Sequence, residues 1–331
     1  MQTRTFGKTD LQMSVLTFGC GAVGGLMTKG NLEEQDRAVA WARDNGINHF
    51  DTAPLYGNGA SEENLGRALG ANREGVIIST KVRLVAGDLA TLKQSIFSSI
   101  ETSLRRLRQD HVDLFQLHNT IGPETIGDTL GVDFVLDEVI PIFRLLQDAG
   151  KVRFLGFTAN GVTAALQTIL RANVVDGAQV FYNILNPTAG EVVPTDYPAQ
   201  NYGQLIDVAA DLGVGTIGVR VLAGGALSGS MERHVVGLPH VEPIGSGRDY
   251  AADVKRSQRL LPVVAADHAN SLPELAIRYA ISNAKLSTTE IGIASLEELQ
   301  LAARAVQNGP LSADALAFID ELRSGFVGEA R

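Results

Sequence analysis

Cysteine is nearly absent from this chain: Cys20 is its only one in 331 residues. A lone thiol makes no intrachain disulfide and offers no pair for a redox or zinc motif, so no metal centre is expected. Tryptophan also occurs once, and aromatic residues together reach only 6%. Positive charge is in deficit, with 28 Lys and Arg against 37 Asp and Glu, a net charge of −9. That balance argues against nucleic acid or an anionic membrane surface as a partner. No apolar run approaches the ~18–20 residues of a membrane span. The opening MQTRTFGKTDLQMSV lacks the apolar core of roughly 7–15 residues that marks a secretory signal. A cytoplasmic globular protein is expected.

The chain does have apolar residues enough for a large core, 45% of the total. Its length suits two average domains or one α/β barrel. No proline-rich linker or low-complexity tract divides it, so a single domain over 1–331 is expected. Short β-branched or aromatic runs recur at MSVLTFG, INHFDT, GVIISTKV, VDLFQLH, VRFLGFT, AQVFYNI, VGTIGVRVL and STTEIGI. Between them lie amphipathic stretches such as EEQDRAVAWARD, TLKQSIFSSIETSLRRLR, LDEVIPIFRLLQDAG, GQLIDVAADLG and LPELAIRYAIS. Ile96, Ile100, Leu104 and Leu107 recur every three or four residues, which places them on one helix face.

Eight strand candidates alternating with helices call for a parallel sheet covered by helices, and eight is the number that closes it. The expected class is α/β, a (β/α)8 TIM barrel. An open doubly wound sheet is the alternative, but GCGAVGG lacks the GxGxxG spacing and does not lead straight into a helix. The residues RTFGKTDLQMSVL read as an N-terminal β-hairpin, turning at Lys8-Thr9-Asp10, that closes the bottom of the barrel. Segments 119–136 and 223–255 are long for connections, and in a barrel both rise from the C-terminal face, where function concentrates.

The stretch FDTAPLYGNG (50–59) sets a tyrosine five residues after an aspartate. Asp51, Lys81 and His118 end three consecutive strand candidates, and Tyr56 follows on the loop above the first. Each alone is more often an edge charge, a structural histidine or a packing residue. Neighbouring strands in a parallel barrel would bring all four to one mouth. A free phenol has a pKa near ~10. A lysine ammonium beside it stabilises the phenolate, and a carboxylate on the far side keeps the lysine charged and aimed. Tyr56 then becomes a general acid for a carbonyl or a base for an alcohol, with His118 orienting the substrate oxygen or helping to pass the proton.

INHFDTAPLYGNGASEENLGRAL resembles the signature of the aldo-keto reductases, and VIISTKV and DLFQLH resemble that family's next two motifs. The resemblance runs over roughly 1–306, from GKTDLQMSVLTFGCGAVGG to EIGIASLEELQLA. It implies a (β/α)8 barrel that uses a nicotinamide cofactor, with Asp51, Tyr56, Lys81 and His118 as catalytic tetrad. It also implies cofactor contacts at Gly21, Ala22, Asp51, Thr158, Asn160 and Gln179, the last holding the carboxamide. Further along, Arg220, Leu222, Gly224, Gly292, Ser295 and Glu298 fall at cofactor positions. The pattern departs from the family at Ala159, where asparagine is usual, and at Val219 and Arg220, where an aromatic residue and serine are usual. Within the family, GVRVLAGGALSG and LHN resemble the aldose 1-dehydrogenase and L-galactose or L-fucose dehydrogenase branch.

The resemblance further implies NAD rather than NADP. NADP-preferring members carry basic residues where this chain has Gly292 and Glu298, and no Lys or Arg falls within 290–303. The expected partner is a small carbonyl or hydroxy substrate, an aldose among them; nothing indicates an oligomer. The alternatives are a broad NADPH-dependent aldehyde and ketone reductase, or a cofactor-binding regulatory subunit like the potassium-channel β subunits.

Overall fold

The computed structural model describes residues 1–330. At its centre eight parallel strands follow one another in chain order: β1 (Leu16–Gly19), β2 (His49–Asp51), β3 (Ile77–Val82), β4 (Val112–Leu117), β5 (Val152–Thr158), β6 (Gly177–Phe181), β7 (Gly215–Val219) and β8 (Thr288–Gly292). Each pairs with the next, and β8 pairs with β1 from Thr289 opposite Leu16 to Gly292 opposite Gly19. That last pairing closes the barrel and excludes the open doubly wound sheet.

The main helices are α1 (Leu32–Asp44), α2 (Ala60–Leu69), α3 (Leu92–Leu107), α4 (Ile140–Asp148), α5 (Thr163–Arg171), α6 (Leu205–Asp211), α7 (Tyr250–Gln258), α8 (Leu272–Ser282), α9 (Leu296–Gln307) and α10 (Ala313–Ser324). On α3 the buried set includes Ile96, Ile100, Leu104 and Leu107, the face that the periodicity required. No helix among the described residues is long and apolar enough to cross a membrane.

The expected hairpin is present: Thr3–Thr5 pairs antiparallel with Gln12–Ser14. Its Phe6, Leu11 and Met13 pack against Ile77, Leu114 and Ile217 at the N-terminal end of the barrel. Gly177 and Gly215 make the room, since an added Cβ would stand 2.7 Å and 2.5 Å from ring carbons of Phe6. Glycine is needed here for close approach.

The connections differ from expectation in three places. Helix begins at Val132 and runs through a π turn at Val135–Val139 into α4, so only the first part of 119–136 is loop. Pro141 explains the widened turn, because its ring displaces the carbonyl of the preceding turn. In 223–255 the helix α7 starts at Tyr250, where the Asp249 side chain accepts from Ala252 N–H as an N-cap. A third long connection, 183–204 between β6 and α6, was not anticipated. It is tied by its own polar side chains: Asn186 Nδ2 donates to Gln200 O at 3.0 Å and Tyr197 O–H to Leu185 O at 3.0 Å. Helix α10 buries Ala315, Ile319 and Arg323.

Candidate active site

Alternate residues of a strand share a face, and the inward face changes character with height. On β3 it reads Ile77, Ser79, Lys81; on β4 it reads Leu114, Gln116 and then His118 just past the strand. Asp51 ends β2 in the same layer, paired with Gly19 and Ser79.

Asp51 and Lys81 form an ion pair with side-chain exposures of 0% and 1%. Lys81 Nζ also donates to Thr52 O at 2.9 Å. The Asp51 carboxylate accepts from Ser79 Oγ at 2.6 Å and Gln116 Nε2 at 3.2 Å. Beneath it, His49 Nε2 meets Ser79 Oγ at 2.9 Å and His49 Nδ1 meets Thr17 Oγ1 at 2.7 Å. Thr17 meets Thr288 Oγ1 at 2.7 Å, and Thr288 donates to Ser14 O at 2.7 Å. Buried polar groups need partners, and this column supplies most of them, the Gln116 Oε1 being left without one.

The glycines of FDTAPLYGNG now have a reason. Gly57, Asn58 and Gly59 take φ of 62°, 53° and 94°, a left-handed run that swings the chain from loop into α2. Tyr56, just before it, is turned over the pair: Lys81 Nζ lies 5.0 Å from its ring centroid. The His118 ring stands edge-on to Tyr56, centroids 5.9 Å apart at 88°. Gly21 backs the phenol, where a Cβ would touch Tyr56 Cζ at 3.6 Å. The four residues converge as the strand register required.

Electrostatics modify one expectation. Burial pushes the Tyr56 hydroxyl up to about 12, although the Lys81 ammonium pulls it down. Lysine therefore acts as expected, but desolvation outweighs it and the phenol keeps its proton at neutral pH. Burial opposes the Lys81 charge as well, yet Asp51 and Tyr56 hold its ammonium above the usual lysine range. His118 is lowered to about 3 by burial and then by Lys81, so it is a neutral imidazole.

The candidate cofactor residues form two groups. Around the barrel mouth, Thr158 Oγ1 donates to Gln179 Oε1 at 3.0 Å, while Asn160 Nδ2 is turned to Thr120 Oγ1 at 3.2 Å. Ala22 O accepts from Leu238 N–H at 3.1 Å, which ties the loop after β1 to the segment after β7. Arg220 has φ 58°, and Gly224 and Gly225 in the turn after Leu222 have φ 68° and 108°. A Cβ on Gly224 would lie 2.8 Å from Arg220 Nη1, and one on Gly225 would lie 2.7 Å from Arg233 Nη1. These half-buried guanidiniums bond to carbonyls and the Tyr250 hydroxyl rather than to carboxylates. A turn between two such cations fits a pyrophosphate.

The second group surrounds the N-terminus of α9, beyond Gly292. A cleft of roughly 490 Å³ there is lined by Glu34, Arg37, His234, Ser295, Glu297 and Glu298, among others. Ser295 caps α9 through Glu298 N–H at 3.2 Å, and Glu298 Oε2 accepts from Ala294 N–H at 3.0 Å. Glu298 is thus folded back on the helix end. The basic residues of the cleft, Arg37 and His234, come from α1 and from the segment after β7, which a local reading of 290–303 does not reach.

The sequence reading also missed Glu290. Its Oε2 accepts from Gln179 Nε2 at 2.9 Å. Strand parity was the available signal: Glu290 stands two residues before the end of β8, on the face shared with Thr288.

The constellation thus stands at the C-terminal mouth of a closed barrel of eight parallel strands. The chain belongs to the aldo/keto reductase family, whose model matches residues 15–324. Members are oxidoreductases acting on carbonyl and hydroxyl groups with nicotinamide cofactors, and so is this protein. It is 27% identical to L-galactose dehydrogenase of Arabidopsis thaliana over 309 residues, 91% of this chain and 86% of that one. A probable voltage-gated potassium channel subunit beta from the same plant is 26% identical, covering 94% of this chain and 93% of that one. L-glyceraldehyde 3-phosphate reductase of Escherichia coli is 26% identical, covering 97% and 92%. Among solved structures, aldo-keto reductase AKR11C1 from Bacillus halodurans superposes with a TM-score of 0.71 at 23% identity, covering 100% and 98%.

Proposed function

We propose that this enzyme interconverts an alcohol and a carbonyl on a small polyhydroxylated compound, an aldose in the first instance, with NAD preferred. The observation that carries the proposal is the buried Lys81–Asp51 pair set under Tyr56 with neutral His118 across the ring. Bound nicotinamide supplies or accepts the hydride. The chain's own residues manage the oxygen and the proton. Tyr56 O–H gives its proton to the carbonyl oxygen in reduction and recovers it from the alcohol in oxidation. Lys81 compensates the phenolate charge, Asp51 keeps Lys81 charged and in place, and a ring N–H of His118 orients the substrate oxygen. Gln179 would hold the carboxamide, and Arg220 with the turn at Leu222–Gly224 the pyrophosphate.

Similarity to a galactose dehydrogenase and a glyceraldehyde 3-phosphate reductase supports a polyhydroxylated substrate. The charge of the α9 cleft supports NAD. Glu298 already occupies the Ala294 N–H, and Glu34 Oε1 lies 3.4 Å from the Leu296 N–H, so protein carboxylates hold donors that a 2′-phosphate would seek. Arg37 and His234 in the same cleft favour a second reading, an NADP-linked carbonyl reductase. Comparing kcat/KM for the two cofactors at fixed ionic strength, in wild type and Glu298→Arg, tests the choice. Two missing charge-assisted contacts would amount to a preference of about a hundredfold for NAD; a clear NADP preference in the wild type overturns it. A substrate panel run in both directions tests the chemistry. Cofactor binding without turnover on any sugar, aldehyde or alcohol would instead fit a regulatory subunit, the role that similarity to the channel subunit favours.

A further inference from the structure

Glu290 is an acidic side chain inside the barrel that the scheme above does not use. It sits on β8 opposite Thr17 of β1. Gly19 leaves room for it, since a Cβ there would stand 3.1 Å from Glu290 Cγ. Its Oε2 accepts from Gln179 Nε2 at 2.9 Å, while Thr158 fixes the other end of that amide at 3.0 Å. Its carboxyl also lies within hydrogen-bonding range of Asp51. The charges that act on it are those of Asp51 on β2 and Lys81 on β3.

Two carboxyl groups this close in a half-buried place do not both ionise readily. Burial, followed by the charge of Asp51, drives the Glu290 carboxyl well above the usual range. Lys81, Ser79 and Gln116 all donate to the Asp51 carboxylate, whereas Gln179 alone donates to Glu290. Glu290 is therefore the neutral partner. A carboxylic acid can do both things its position asks: one oxygen accepts from Gln179 and the other donates its O–H to Asp51.

We infer that Glu290 is a positioning residue which holds the Gln179 amide and the Asp51 carboxylate in one fixed relation. It joins the carboxamide-binding side of the site to the pair that supports Tyr56. This rests on the roles proposed above for Gln179 and for Asp51, Tyr56 and Lys81.

The test compares Glu290→Gln with Glu290→Met. Cofactor Kd is read by quenching of protein fluorescence, alongside the pH profile of kcat/KM for alcohol oxidation. Glutamine keeps an acceptor and a donor on the same stem, so its Kd, kcat and pH profile should stay close to wild type. Methionine keeps the volume and loses both bonds. Its Kd should rise ~3–10-fold, the worth of about one neutral hydrogen bond. Its oxidative limb should move to higher pH, because Asp51 without the donor binds the Lys81 charge more tightly and leaves less for the phenolate. Combining Glu290→Met with Gln179→Leu should raise Kd by less than the product of the singles. If Glu290→Gln is as impaired as Glu290→Met, or Glu290→Met matches wild type in Kd and profile, the inference is wrong. Should the methionine variant fail to melt cooperatively, the glutamine variant decides: wild-type Kd and profile are required of it. Tyr56→Phe separates the two readings, because retained turnover there refutes the proposed chemistry while the Kd comparison at Glu290 stands on its own.

Discussion

The two ends of the barrel are built from the same strands and do opposite work. At the N-terminal end the inward positions are apolar: Ile77, Leu114 and Ile217 receive Phe6, Leu11 and Met13 from the hairpin, and Phe6 and Met13 are fully buried. Four residues higher on β3 and β4, the same face carries Lys81 and His118. Between them lie Ser79, Gln116 and His49, polar and uncharged. The comparison shows how a charged pair is made tolerable inside a protein. The ions stand at the mouth, every group beneath them is a hydrogen-bond partner, and the dry packing that stabilises the fold is kept at the other end. Function and stability then occupy separate layers and should respond separately to substitution.

The sharpest way to break that separation is at Tyr56. Tyr56→Phe should cut turnover by ~10²–10⁴-fold, the usual worth of a general acid or base. Cofactor affinity and melting temperature should hardly move. In the wild type, reduction needs the protonated phenol. Its rate should hold through neutral pH and fall as pH rises toward the raised Tyr56 value of about 12, with oxidation following the opposite course. Near-normal turnover in the phenylalanine variant would remove Tyr56 from the chemistry.

At the other end, Phe6→Ala should be the converse. It empties a fully buried aromatic site and should cost ~3–5 kcal/mol of stability, measured by urea unfolding, with kcat/KM unchanged where the protein stays folded. A large drop in kcat/KM would show that the layers are coupled.

A smaller effect lies within the mouth. Asp51→Asn and Lys81→Met should each impair catalysis, but the double variant should fall short of the product by ~1–3 kcal/mol, because the partners act as a unit. Strict additivity would mean that they serve Tyr56 independently.

The last effect, small within any one pH unit, concerns the two buried histidines of the column and the mouth. His49 is lowered to about 4 by burial, and His118 to about 3, against ~6.5 unfolded. Below ~6.5 the unfolded chain binds protons that the native protein refuses, so stability should decline as pH falls from there toward about 4. Each histidine contributes on the order of 1.4 kcal/mol per pH unit. His49→Gln should flatten that slope by one histidine's share; an unchanged slope would mean that His49 is already charged in the folded protein.

Much of this was legible in the residues themselves. The alternation of β-branched runs with amphipathic stretches determines strand and helix locally, and eight repeats leave the closed barrel as the parsimonious arrangement. Asp51, Lys81 and His118 were readable as neighbours because each ends a strand, and consecutive parallel strands lie side by side. LPELAIRYAIS is helix over Leu272–Ser282, with Ser271 as its N-cap. The hairpin was equally clear, its turn set between two short alternating segments.

What the tertiary structure alone decided are the relations between distant segments and the outcome of competing forces. The connection 183–204 carries turn residues but no periodicity, and its shape comes from Asn186, Thr188 and Tyr197 bonding across it. Arg37 and His234 reach the α9 cleft from far along the chain. The Tyr56 hydroxyl shows the limit most clearly: the sequence names the lysine that lowers its pKa, but the depth of burial that raises it further is a property of the closed barrel. For Glu290 the acid is visible in TTEIG, yet its neutrality follows only from facing Asp51 across the interior. Sequence determines which groups a strand presents; packing determines how much water they lose and whom they meet, and the state of a charge depends on both.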